Sequence, residues 1–101
     1  MSFAVASDQK PLIAGVGMVR FTKPGSSDPW DQLAESAARL ALEDAKVSYE
    51  DIQIAYVGYV YADSTAGQSA LYRLGMSGIP IVNVNNNCAS GSTALWQARL
   101  Y

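Results

Sequence analysis

Apolar and polar residues fall into stretches of distinct period along the chain. Residues 1–10 (MSFAVASDQK) mix small and polar types and read as a leader without stable order. Leu12 to Phe21 (LIAGVGMVRF) is apolar, with β-branched and aromatic positions, and predicts a first strand. Thr22 to Pro29 (TKPGSSDP) concentrates turn residues and predicts a loop. Beyond it Trp30, Leu33, Ala34, Ala37, Leu40, Ala41 and Ala45 recur at helical spacing, while Glu35, Arg39 and Glu43 take other faces. Three signals mark the start of this helix. Asp28 can cap it, Pro29 suits a first helical position, and Asp31 puts a negative charge where the helix dipole favours one.

A short acidic turn at Glu50 and Asp51 precedes Ile54 to Tyr61 (IAYVGYVY). That run is apolar on both alternating faces, as expected of an interior strand covered on two sides. Tyr59 and Tyr61 share a face and are expected to pack. Thr65 and Gln68 have capping-box spacing for a second helix through Leu71 and Leu74, with Gly75 placed to end it. Ile79 to Asn85 (IPIVNVN) predicts a third strand and Ser90 to Tyr101 (SGSTALWQARLY) a third helix. The order β-α-β-α-β-α predicts an α/β fold, a mostly parallel sheet with helices on both faces. Leu95, Ala98 and Leu100 are still in mid-pattern at Tyr101, without a stop signal. Residues 11–101 are therefore expected to form part of a domain that ends here within a helix.

Composition narrows the function classes. A chain of 101 residues holds one domain at most. With 50% apolar and 16% charged residues it can bury a core and is not a disordered tail. A net charge of -2 supplies no attraction for nucleic acid or an anionic membrane. Its apolar runs are too short to cross a bilayer, and the first residues lack the basic and apolar regions of a secretory signal. A single cysteine cannot close an internal disulfide, which makes a reducing compartment the default. There is no histidine. That removes the usual zinc sites, Ser-His triads and Cys-His pairs together.

The residues that invite chemistry lie between Val82 and Leu95 (VNVNNNCASGSTAL). Asparagine is a poor strand former, so its presence at 83, 85, 86 and 87 needs another reason. It tolerates left-handed backbone and makes local side-chain bonds, which suits a sharp strand-to-helix turn. Cys88 then stands at or next to the start of the helix. Ala89, Ser90 and Gly91 keep the next turn small enough for a backbone or substrate to approach closely. A thiol there meets the positive end of the helix dipole, surroundings that favour a nucleophilic thiolate. The unpaired N–H groups of that turn can act as oxyanion donors for a thioester carbonyl. The competing reading is a small buried hydrophobe, which free cysteine often is.

Other motifs carry less. After Gly15-Val16-Gly17, the third glycine of a dinucleotide fingerprint falls on Arg20, and no helix starts there. Asp28 with Asp31, and Glu43 and Asp44 with Glu50 and Asp51, lack the pattern of a calcium loop. They read as capping or surface groups, so no metal site is expected.

Asn83-Val84-Asn85-Asn86-Asn87-Cys88-Ala89-Ser90-Gly91-Ser92-Thr93-Ala94-Leu95 closely resembles the active-site cysteine segment of the thiolases, in their sterol carrier protein x (SCP2-thiolase) branch. Nearly the whole chain shares the resemblance. Ala14 to Met18 and Thr22 to Gly25 look like that branch's first strand and loop, and Val57 to Val60, Asp63 to Thr65 and Leu74 to Pro80 fit its next segments. The resemblance implies the amino-terminal part of a thiolase-type fold and an acyltransferase that cleaves 3-oxoacyl-CoA. In that scheme Cys88 attacks the 3-oxo carbonyl, acetyl- or propionyl-CoA leaves as an enolate, and free coenzyme A takes the acyl group.

By the same resemblance the substrates are branched-chain or sterol-side-chain acyl-CoAs. Coenzyme A is a substrate, and no cofactor is needed. The parent pairs as a homodimer through strand 79–85 and works in the cytoplasm of a bacterium or the peroxisome of a eukaryote. Some roles find no residue here. The family's activating histidine, its second acid/base cysteine and its water-holding asparagine or histidine lie further along the chain than these residues. Ala66 stands where some relatives have a cysteine and carries no catalytic meaning. Two alternatives remain: a catalytically inactive thiolase-like fragment or subunit acting in lipid or acyl-CoA binding or assembly, and a thiolase-fold retro-aldolase of steroid side chains. A cysteine kept in its full motif favours the thiolase.

Overall fold

The computed structural model describes residues 10–101, so the expected leader lies, Lys10 aside, outside the described residues. In chain order it forms helix α1 (Trp30–Ala45), a 3-10 turn (Tyr49–Asp51), strand β1 (Ala55–Gly58), helix α2 (Ala66–Leu71), strand β2 (Ile81–Val84) and helix α3 (Ser90–Leu100). β1 and β2 form a two-stranded parallel sheet, with Ala55 opposite Ile81 and Gly58 opposite Val84. Parallel strands need a crossover, and α2 lies in it.

Helices cover both faces of this sheet. Val57, Ile81 and Asn83 face α2, where each comes within van der Waals reach of Gly67. The alternate face carries Gly58, and the first turn of α3 lies against it. α1 packs on α2 from outside. The buried apolar residues are Ala66, Ala70, Leu71, Val84 and Ala94, mostly alanines, so the layers approach by virtue of small side chains. α1 has no fully buried residue.

The expected first strand does not form. Leu12 to Phe21 runs without ladder partners beside α1, and Phe21 is 93% exposed. A strand exists only through a paired neighbour, and the bonds of β1 go to β2. The segment uses its glycines instead. Gly15 and Gly17 have no room for a side chain because the backbone of α1 at Ala37, Ala41 and Ala45 lies directly against them. The Val16 N–H donates to Asp44 Oδ2 at 2.9 Å, which ties the segment to the end of α1.

The other strands are shorter than their apolar runs. Pro80 has no N–H, so its contribution is a carbonyl that accepts from Ala55 N at 3.0 Å, and β2 begins one residue later. At the far end Tyr59 N donates to Val84 O at 3.0 Å, after which the chains diverge. Tyr61 therefore lies outside the strand and is 97% exposed rather than packed. Val84, at the end of β2, buries its side chain at 9% exposure.

Helix ends also depart from expectation. Asp28 does not cap α1; Pro29 occupies the capping position without a side-chain bond. Asp31 instead accepts from Gln32 N at 3.0 Å and from Arg73 at 2.7 Å, joining α1 to the chain after α2. Thr65 sits in left-handed backbone with no capping bond: its hydroxyl donates to Ser64 O instead, and the Gln68 amide is engaged by Asn83. The capping box that does form is Ser48 with Asp51: Glu50 N donates to Ser48 Oγ at 3.2 Å and Ser48 N to Asp51 Oδ2 at 3.0 Å. α2 ends at Leu71, short of Leu74.

α1 closes on Lys46 at φ 58°, with Lys46 N bonded to Glu43 O at 3.1 Å and Val47 N to Leu42 O at 3.2 Å. This is the double bond pattern that favours glycine at the left-handed position. Lys46→Gly is expected to raise the urea midpoint, by up to about 1 kcal/mol of stability, with the slope unchanged.

Candidate active site

The turn from β2 into α3 gives each asparagine a separate task. Asn83 faces α2, where its Oδ1 accepts from Gly67 N at 2.6 Å and its Nδ2 donates to Gln68 Oε1 at 2.8 Å. This pairing draws Gln68 away from Thr65 and fastens the start of α2 to β2. Asn85 Nδ2 reaches Val60 O at 3.4 Å, and its Oδ1 accepts from Asn87 N at 3.3 Å. Asn86 Nδ2 donates to Thr93 Oγ1 at 3.0 Å. Asn87 takes left-handed backbone at φ 49°, the conformation that the asparagine run anticipates.

Cys88 follows directly. It lies two positions before Ser90, the first residue of α3, and Ala89 occupies the capping position. Its thiol is exposed, so the buried-hydrophobe reading does not hold. The carbonyls of Asn86 and Asn87 are taken by Ala89 N at 3.0 Å and Ser90 N at 3.1 Å. Among the described residues the N–H groups of Cys88 and Gly91 find no acceptor. An added Cβ on Gly91 would meet nothing within 4 Å, so this side of the turn is open.

Ser90 holds the turn from beneath. It is 4% exposed, and its hydroxyl accepts from Asn86 N at 2.8 Å while donating to Asn87 O at 2.8 Å. In the sequence Ser90 stands out only as a small residue after the cysteine. The available signal was a hydroxyl at the first helical position behind a run of asparagines.

α3 reaches this place because Gly58 leaves room. A Cβ at position 58 would stand 2.6 Å from Ser90 O and 2.9 Å from Gly91 N. The same glycine lines a cleft of about 220 Å³ with Trp30, Tyr59, Tyr61 and Ala66. Cys88 does not line that cleft. Of the acidic residues weighed as ligands, Asp31 pairs with Arg73, Asp44 accepts from Val16 N and Asp51 from Ser48 N.

Residues 12–99 match the family model of the thiolase amino-terminal domain. The chain belongs to the thiolase family. This thiolase segment is 54% identical over 97 residues to human sterol carrier protein 2, covering 93% of the chain and 18% of that protein. It is 52% identical over 89 residues to non-specific lipid-transfer protein-like 2 of Caenorhabditis elegans, with 86% of the chain and 22% of that protein covered. A benzoylsuccinyl-CoA thiolase subunit of Thauera aromatica is 36% identical over 90 residues, or 87% of the chain and 23% of the subunit. The segment thus spans about a fifth of the length of these relatives. No helix among its described residues is long and apolar enough to cross a membrane.

Gly58→Ala is expected to push α3 off β1 and to cost about 1–3 kcal/mol, as overpacking does. A urea titration gives the stability loss. Faster reaction of Cys88 with a bulky maleimide at low urea would show that the turn loosens with it.

Proposed function

We propose that this thiolase segment supplies the nucleophile of a 3-oxoacyl-CoA thiolase, and that the nucleophile is Cys88. The observation that carries this reading is an exposed thiol on a strand-to-helix turn whose own N–H has no acceptor, in a chain of the thiolase family. Cys88 Sγ forms a bond to the 3-oxo carbon. The bond between C2 and C3 breaks, and its electron pair stays on C2 of the departing acyl-CoA enolate, which is then protonated. The thiol of coenzyme A takes the acyl group and Cys88 regains its proton. The Cys88 and Gly91 N–H groups are the donors this turn offers to a developing oxyanion. Coenzyme A serves as substrate, and no cofactor or metal enters the scheme.

Claisen cleavage also needs positioned proton carriers. With no histidine and no second cysteine, residues 1–101 do not contain the usual ones, so the activity is proposed for a protein that supplies them. On that view residues 11–101 are part of an amino-terminal thiolase domain. The substrate proposed is a branched-chain or sterol-side-chain acyl-CoA, in keeping with the sterol and lipid named in two relatives, and the setting proposed is the cytoplasm of a bacterium or the peroxisome of a eukaryote. β2 pairs with β1 along one edge, and its other edge has no partner among the described residues. That edge is read as the place where a second copy joins, making a homodimer through residues 79–85. A second reading, a catalytically silent subunit that binds acyl-CoA or lipid, draws on the missing proton carriers and the relatives' carrier names.

Mass spectrometry after incubation of the native-length protein with a branched 3-oxoacyl-CoA is expected to show a thioester on the peptide containing Cys88. Cys88→Ala is expected to remove it with the fold retained. An adduct elsewhere, or none, would favour the silent subunit. Residues 1–101 alone are expected to show no thiolysis, and measurable release of acetyl-CoA by that chain would contradict the need for outside proton carriers. Sedimentation of the native-length protein as a monomer would remove the dimer.

A further inference from the structure

We propose that Ser90 is the positioning residue of Cys88: its buried hydroxyl locks the turn that presents the thiol and so sets the rate of acyl transfer. The inference rests on the acyl-enzyme reading above and goes beyond it by assigning a task to a residue that touches no substrate. Ser90 is the sole buried polar residue among the described residues. A buried hydroxyl needs partners, and both of those it has belong to the backbone just before the cysteine: Asn86 N, which donates to Oγ, and Asn87 O, which accepts from it, each at 2.8 Å.

The two bonds act together. Asn87 must hold φ 49°, a conformation costly for any residue with a Cβ. The Asn87 carbonyl is pinned by Ser90 Oγ and Ser90 N, and the Asn87 N–H is paired with Asn85 Oδ1. Asn86 is held at its N–H by Ser90 and at its side chain by Thr93, one turn further along the same helix. The residue before Cys88 is thereby fixed at both ends. Ser90 itself is fixed, because its carbonyl lies where a Cβ on Gly58 would stand. The clamp is therefore referred to the sheet, which is how a rigid element holds reacting atoms in register.

Acetyl-CoA is the probe. Cys88 Sγ attacks its thioester carbonyl, the bond to the coenzyme A sulfur breaks, and coenzyme A leaves with the proton. The native-length protein, Ser90→Ala, Ser90→Thr and Thr93→Val are mixed rapidly with acetyl-CoA and quenched, and acetyl on Cys88 is followed by mass. Circular dichroism of each variant reports the fold. In folded Ser90→Ala the limiting acylation rate is expected to fall roughly tenfold or more, with the half-saturating acetyl-CoA concentration unchanged. Ser90→Thr, which keeps the hydroxyl, is expected to recover much of that rate. A purely structural role would move the melting temperature and leave the limiting rate of the folded protein alone; an unchanged rate in folded Ser90→Ala overturns the proposal. Should Ser90→Ala not fold, Thr93→Val decides, since it removes only the Asn86 anchor: a lowered limiting rate supports the clamp and a wild-type rate overturns it. A wild-type protein that acquires no acetyl on Cys88 overturns the acyl-enzyme reading and this proposal with it, a result distinct from acylation that ignores Ser90.

Discussion

The close approach of α3 to β1 at Gly58 is the constraint on which the remainder depends. Because position 58 has no side chain, the Ser90 carbonyl and the Gly91 nitrogen can lie against the strand. That contact sets the height of the α3 amino terminus above the sheet. The height then determines whether the Ser90 hydroxyl reaches the Asn86 and Asn87 backbone. A sheet of two strands has little area to bury, and the buried apolar set is mostly alanine. Close backbone approach replaces the bulk of a larger core, so positional accuracy here comes from what is absent at Gly58, Gly67 and the alanines.

The asparagines between Asn83 and Asn87 divide the work of joining the two halves of the site. Asn83 looks back to α2, Asn85 to the chain leaving β1, and Asn86 forward to α3. Asn87 alone supplies backbone geometry. Asn83 and Asn85 each bond as donor and acceptor over a short reach, which a charged or apolar side chain of that size cannot do. The turn can therefore be exposed to solvent and still hold one conformation. Exposure leaves Cys88 open to solvent, and order keeps its place in the turn constant.

Helical periodicity from Trp30 to Ala45 is legible because one apolar face recurs over several turns. The placement of Cys88 beside a helix start followed from asparagine's tolerance of left-handed backbone. The strand at Leu12 to Phe21 was misread because apolar composition speaks of burial, whereas a strand also needs a partner for its backbone. The glycines there serve contact with α1 instead. The capping box expected at Thr65 and Gln68 does not form because the Thr65 hydroxyl turns to Ser64 O and Asn83, distant in sequence, holds Gln68. The Ser90 hydroxyl's bonds and the close approach at Gly58 are not legible in the sequence, for one shared reason. Their importance lies in each other's position, and neither pattern nor propensity along a single stretch encodes a contact between a strand and a helix beyond the next strand.

Asn83's bond to the start of α2 has a consequence in time. Synthesis runs from the amino terminus, so α1, β1 and α2 leave the ribosome before β2 can pair. When β2 arrives, its parallel ladder must close across the crossover that holds α2, and Asn83 can dock on Gly67 and Gln68 only then. α3 can seat on Gly58 only after that sheet exists. The Cys88 turn is accordingly among the last parts of this segment to take shape. A nascent chain thus carries Cys88 through its most exposed and collision-prone moments before the surrounding layers are in place to fix the turn around it.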